Sequence, residues 1–419
     1  MRLIPSQPVT ILADRVDRRY IPHLAVFPDG LLRMNIGIGP DNNFTPGFSY
    51  HSYDRGKTWQ EAVTPCPRVE WMEVFSDGSC YEIDSYAWQD SEAPDWFVAN
   101  ACVSRDGREF RHEFVRIHAP GTQTATLRAM RTFGQPQEPW YPVINHANHA
   151  CRGTFNRAIT MDNVMIAKLH MTSIIEIDSP SHLLALAYGR HGENLKCCVW
   201  LYESVDAGRT WERGALVMAD DTTPEGPDEA SLVRLDSGEL YAIARTGAAL
   251  LQARSPDLGR TWSAAEPIRL SDSGEYLTGV WPIIRKLRRG GLVCSFGRPK
   301  STFTSLEALK QFDYVAEHYG HCGKYVMCDP SGTGRNWQGR IDLHELEVAH
   351  QALMGVSAEQ RLRVQEDTNV RDSNSWEYLT LNEVEDDVLL VTYDVQRFRE
   401  NWNSHPVQGV RMARVTVQR

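Results

Sequence analysis

Two imidazoles stand three residues apart in Asn145-His146-Ala147-Asn148-His149, on an irregular stretch that also holds Pro136, Pro139 and Pro142. A further histidine, His170, precedes one apolar run, and Tyr188 ends the next, with Arg190 two residues on. Imidazole carries protons near neutral pH. A phenol can act as an acid, and a guanidinium neutralises a carboxylate through charge-assisted hydrogen bonds. Base, acid and cation are what β-elimination from a uronate needs. As metal ligands the two loop histidines lack a third partner, so no metal is expected. The nine cysteines are scattered, with an adjacent pair Cys197-Cys198 but no CxxC. That usage fits reduced thiols and a cytoplasmic location. No cofactor is expected.

The elements that position these groups are announced by a repeat. Ser52-Tyr53-Asp54-Arg55-Gly56-Lys57-Thr58-Trp59 returns as Ser204-Val205-Asp206-Ala207-Gly208-Arg209-Thr210-Trp211 and as Ser255-Pro256-Asp257-Leu258-Gly259-Arg260-Thr261-Trp262. A degraded copy begins at Ser104, and a stretched one runs from Asp329 to Trp337. Asp and Ser side chains bond the amides of a turn. Glycine takes the positive φ of a tight hairpin. Thr and Trp start the next strand, with the indole under the turn. Ser52 and Ser104 are 52 residues apart, and Ser204 and Ser255 are 51 apart. Hairpin repeats of about 50 residues are the signature of propeller blades.

Six strand–turn–strand units follow in order. They turn at Pro28-Asp29-Gly30, at Asp77-Gly78, between Ile177 and Leu183, at Asp236-Ser237-Gly238, before Gly291-Leu292, and between Leu381 and Val388. Residues 9–14 read as a lone strand that closes the ring against the last blade. The expectation is one all-β domain over 1–419, a propeller of six blades, or seven if 117–169 forms one. Insertions are expected at 117–169, 300–323 and 346–372, with helix at 305–312 and 357–364.

Net charge is −10, with 12 Trp and 15 Tyr. The acidic balance argues against non-specific nucleic-acid binding, and the aromatics suit a surface that stacks on sugars. No apolar run is long enough to span a membrane. The first residues lack the apolar core of a secretory signal. Oligomeric state is left open.

The octapeptides resemble the Asp-box repeats (BNR repeats) of the sialidase, or neuraminidase, superfamily, and the hairpins resemble sialidase blades in their order. The resemblance covers most of the chain and implies a six-bladed propeller of the sialidase type. It implies a glycosidase, a hydrolase in carbohydrate metabolism that acts as an exo-enzyme on an acidic sugar. By the same resemblance Tyr378 is the nucleophile, Glu229 its base, and Asp41, eleven residues before Ser52, the acid/base group. Arg245 and Arg298 hold the sugar carboxylate together with Arg19. Arg19 stands one residue before the family's arginine position, which is Tyr20 here. Asp394 orients one arginine. The rival reading is a propeller polysaccharide lyase using His146, His149, His170, Tyr188 and Arg190. A propeller that binds glycans without catalysis is the third.

Overall fold

The computed structural model describes residues 1–13, 20–38, 45–62, 72–126, 165–191, 196–223, 226–298, 303–311, 323–356, 378–395 and 409–419. Chain order begins with β1 (Arg2–Pro5) and β2 (Val9–Ala13). Blade 1 is β3 (Tyr20–Val26), β4 (Leu32–Ile38), β5 (Thr45–Ser52) and β6 (Gln60–Glu61). Blade 2 is built on β7 (Glu73–Val74), β8 (Cys80–Ile83), β9 (Tyr86–Gln89), β10 (Trp96–Ser104) and β11 (Arg111–His118). Two strands that flank the undescribed stretch, β12 (Ala125–Thr126) and β13 (Met165–Lys168), extend it. Blade 3 is β14 (His170–Ser179), β15 (His182–Gly189), β16 (Cys198–Ser204) and β17 (Thr210–Ala219).

Blade 4 is β18 (Asp228–Arg234), β19 (Leu240–Arg245), β20 (Leu250–Ser255) and β21 (Glu266–Pro267). Blade 5 is β22 (Val280–Lys286), β23 (Leu292–Arg298), β24 (Gly323–Asp329) and β25 (Gln338–Asp342). Helices α1 (Leu306–Gln311) and α2 (Leu343–Leu353) flank its later strands. Blade 6 joins β26 (Leu379–Glu385), β27 (Val388–Val395) and β28 (Gly409–Gln418) to β1, and β2 also pairs with β28. Closure by residues 9–13 is as the sequence suggests, and β1 adds a second closing strand.

The inner strands β3, β7, β14, β18, β22 and β26 pack each on the next, and β26 returns to β3. Side-chain hydroxyls staple this ring. Ser173 Oγ accepts the Leu232 amide, Ser231 Oγ the Ile284 amide and Thr380 Oγ1 the Leu24 amide, each at 3.1 Å. Each hydroxyl takes a backbone donor from the following blade, so these three amides keep a partner at the seam. Apolar faces of neighbouring blades interlock outside it, as where Leu184, Leu186 and Leu201 meet Leu232, Leu240 and Ala242.

The three full octapeptides fold alike. Ser52, Ser204 and Ser255 accept the amides of Gly56, Gly208 and Gly259 at 2.9, 2.9 and 2.7 Å. Asp54, Asp206 and Asp257 accept the Thr amide four residues on at 2.9 Å. The residue before each glycine is also left-handed: Arg55, Ala207 and Leu258 have φ of 62°, 59° and 57°. Trp211 Nε1 donates to Gly208 O at 2.9 Å and to the Tyr81 hydroxyl at 3.3 Å, tying blade 3 to blade 2. Gly208 has φ +81°, and a Cβ there would stand 2.8 Å from the Tyr81 ring; Gly238 has φ +86° with nothing within 4 Å. Gly208→Ala should therefore lose well over the ~1 kcal/mol that backbone strain alone costs, and Gly238→Ala only the strain. Thermal melts of the two variants check the order.

Antiparallel pairing fixes which end of the blades does what. The octapeptides follow the third strands, so they lie on one face of the ring. Inner-strand starts and second-strand ends lie on the other. The inner strands of blades 3, 4 and 5 are each broken there by a bulge, between Met171 and Ser173, Asp228 and Ser231, and Val280 and Ile283. Bulges re-aim side chains.

Six blades account for the described residues. Helix at 305–312 is found as α1. The helix expected at 357–364 lies outside the described residues, and α2 lies before it.

Candidate active site

The bulge of β18 puts Glu229 at φ 37°, and that of β22 puts Trp281 at φ 52°. Positive φ is costly for both types, on the order of 1–3 kcal/mol. The two distortions meet. Trp281 donates its amide to Glu229 Oε2 at 2.9 Å. The other carboxylate oxygen, Oε1, accepts the Tyr378 hydroxyl at 3.1 Å and faces Arg245 Nη1 at 2.8 Å. Tyr378 immediately precedes β26, so the phenol comes from blade 6 and the carboxylate from blade 4. The indole of Trp281 meets the Tyr378 ring edge-on at 4.9 Å, and Ile21 and Ile283 complete the apolar wall.

Glu229 is 6% exposed and Tyr378 9%. Burial pushes the Glu229 carboxyl up. The Arg245 guanidinium, the Trp281 amide and the Tyr378 hydroxyl outweigh it and hold the group below its ordinary value. Glu229 is therefore ionised at neutral pH and can receive a proton from the phenol it touches. Arg245 ends β19, in register with Asp228, and its Nε lies 3.6 Å from Asp228 Oδ1. Its nearest counter-ions are thus two carboxylates of its own blade.

A second cluster lines the same mouth. His170 opens β14, and its Nδ1 lies 3.1 Å from the Tyr188 hydroxyl. The His170 ring is 6.1 Å from Trp281, which links this cluster to the first. Lys168 ends β13 and stands over the Tyr188 ring at 4.5 Å. Gly189 makes that approach possible, because a Cβ there would lie 2.2 Å from the Lys168 carbonyl oxygen. Burial, with the nearby carboxylates of Asp228 and Glu229, pushes the Tyr188 phenol well up against the opposing pull of Lys168. Tyr188 is therefore a protonated acid at neutral pH.

The sequence-derived residues divide accordingly. Tyr378, Glu229 and Arg245 converge. His170 and Tyr188, the members of the lyase set described at atomic detail in the mouth, lie beside them. Arg190 falls just past β15, where its carbonyl accepts the Gln123 amide at 2.9 Å. Asp394 is fully buried in β27, one residue beyond the Leu379–Tyr393 pair and so beside Tyr378. Arg19, Asp41, His146 and His149 lie outside the described residues, as does the side chain of Arg298. Asp228, Trp281 and Lys168 were not anticipated. Among the described residues no group of three His, Cys, Asp or Glu side chains is placed to hold a metal. A cavity of about 720 Å³ opens on the octapeptide face, lined by Tyr81, Arg111 and Arg209 among others, and it holds neither phenol–carboxylate pair nor histidine.

No family model matches the chain, and no curated protein does. Solved structures do. A protein of unknown function from Dyadobacter fermentans is similar at TM-score 0.63 and 15% identity, over 99% of both chains. The GH93 α-L-arabinofuranosidase of Fusarium graminearum, solved with arabinobiose, is similar at TM-score 0.53 and 13% identity, over 98% of both chains. The endosialidase of phage phi92 is similar at TM-score 0.50 and 10% identity, over 99% of this chain and 70% of that one. At such identities the likeness is one of fold, a sialidase-type six-bladed propeller.

Proposed function

We propose that the chain is a glycoside hydrolase that cleaves an acidic sugar by way of a covalent sugar–tyrosine intermediate. The 3.1 Å contact between Tyr378 and an ionised Glu229, made across two blades, carries the reading. The Tyr378 oxygen bonds to the anomeric carbon as the bond to the leaving oxygen breaks, and its proton passes to Glu229. The sequence resemblance assigns Asp41 to protonate the leaving group and then to deprotonate the water that releases the sugar. A neutral phenol suits an anionic sugar, because a carboxylate nucleophile would meet like charge. Glycoside hydrolases among the proteins of similar fold support the reaction class. Two displacements at one carbon retain its configuration, so proton NMR of the first-formed product should show the anomer of the substrate. Inverted product, or none from any acidic glycoside, rejects the reading.

The His170–Tyr188 contact favours a second reading, β-elimination from a uronate with His170 as base and Tyr188 as acid. Elimination yields an unsaturated product that absorbs in the ultraviolet; hydrolysis does not. One incubation with sialosides and uronate polysaccharides, followed by absorbance and by released sugar, separates the two.

A further inference from the structure

Among the described residues, the cation best placed to meet a substrate anion is not Arg245, the described arginine that the resemblance singles out. Arg245 already faces Glu229 at 2.8 Å and Asp228 at 3.6 Å. Lys168 is different. The residue is half-buried, and its amine meets the ring and hydroxyl of Tyr188, with Tyr86 and Cys197 also nearby. Among the described residues no carboxylate pairs with it. A partly desolvated ammonium normally has a counter-ion, and an aromatic face replaces only part of that interaction.

The site around Lys168 is built rather than incidental. Tyr188 is held by His170 at 3.1 Å, with the rings 5.2 Å apart. The absent Cβ of Gly189 lets the end of β15 close on the Lys168 carbonyl. Ser85 O accepts the Leu169 amide at 3.0 Å and fixes the end of β13 against blade 2. Ring topology then sets the direction. Tyr188 and His170 belong to blade 3, and Tyr378 belongs to blade 6. In a ring of six these blades are opposite one another, and the Trp281 ring lies between them, 6.1 Å from His170 and 4.9 Å from Tyr378, so the Lys168–Tyr188 cluster borders the same mouth as the Tyr378–Glu229 pair.

We propose that Lys168, with the Tyr188 hydroxyl beside it, is the seat for the carboxylate of the sugar whose anomeric carbon meets Tyr378. This rests on the acidic-sugar reading above and adds the recognition element. The carboxylate accepts from an ammonium and from a phenol that burial keeps protonated. A sugar carboxylate reaches this seat either from the anomeric carbon, as in a sialoside, or from C5, as in a uronide.

The test measures binding, so that it does not depend on turnover. Methyl glycosides of N-acetylneuraminic acid and of glucuronic acid, each with its methyl ester, are titrated by calorimetry into the Tyr378→Phe protein with and without Lys168→Met. At least one acid should bind roughly ten- to a hundredfold more tightly than its ester, as a charge-assisted contact implies. Lys168→Met should erase that ratio by weakening the acid alone, and Lys168→Arg should restore part of it. The responding pair identifies the source of the carboxylate. An acid preference that survives Lys168→Met, or no acid–ester difference in either pair, overturns the proposal. Acid binding that depends on Lys168 in a protein releasing no sugar would instead reject the hydrolase reading and leave the seat standing.

Discussion

Tyr378→Phe is expected to lower kcat by about a thousandfold or more, roughly 4 kcal/mol of transition-state stabilisation. The ring stays, so its edge-on contact with Trp281 and its packing on Ile21 and Ile283 stay with it. Glu229 loses one donor but keeps the Trp281 amide and Arg245. The melting temperature should therefore move by only a few degrees, the equivalent of about 1 kcal/mol. Tyr378→Ala supplies the contrast. It empties a buried ring site and should cost about 3–5 kcal/mol of stability. Steady-state kinetics beside thermal melts of both variants separate chemistry from folding. A Tyr378→Phe enzyme with near-normal kcat would rule out the phenol as nucleophile.

Glu229 carries the other large effect, and it is visible in stability as well as rate. Its carboxyl lies below the ordinary value in the folded protein, so ionisation favours the folded state. The stabilisation is complete above the unfolded-state value of 4.5 and is lost as pH falls through the lower folded value. Unfolding of the wild type should thus show an acid-side loss of stability beginning below pH 4.5. Glu229→Gln should be flatter over that window and less stable at neutral pH by roughly 3 kcal/mol, because a buried guanidinium loses its closest counter-ion. Asp228, 3.6 Å from Arg245 Nε, keeps the loss toward the low end. The variant should also lose about a hundred- to ten-thousandfold in kcat. Denaturant titrations at pH 7 and pH 4 check the first two statements. Parallel pH slopes in the two proteins would mean that the carboxyl is not held down by its neighbours.

Much of the ring was legible because its turns are chemically repetitive. Ser, Asp, Gly and Trp at fixed offsets each answer a backbone or packing demand that the turn imposes. The blade count followed from the six strand–turn–strand units. What escaped was structure whose signal is not periodic. Strand β1 is four residues and ends in Pro5, so nothing in its pattern distinguishes it from a tail. Helix α2 had a readable start, since the Asp342 side chain accepts the His344 amide and Glu345 stands three residues after the cap. The inner-strand hydroxyls Ser173, Ser231 and Thr380 interrupt apolar runs with no pattern of their own, and each takes its neighbour's amide.

The site shows the same division. Tyr378, Glu229 and Arg245 are side chains that announce their chemistry. The Trp281 amide is a backbone group, delivered by a left-handed residue inside a bulge, and an indole in an apolar run gives no hint of it. Lys168 was passed over because its neighbour Tyr188 is 20 positions away in the chain.

The blade that presents Tyr378 is completed by β1, where Arg2 stands opposite Gln418. These residues are 416 positions apart, among the longest-range contacts a chain of this size can make. Contacts of that separation form late, because the entropy of closing the loop comes first. During synthesis the earlier blades can assemble as they emerge, but the phenol has no finished sheet behind it until β28 arrives. On the hydrolase reading, competence should therefore appear abruptly, only once β1 and β28 have paired.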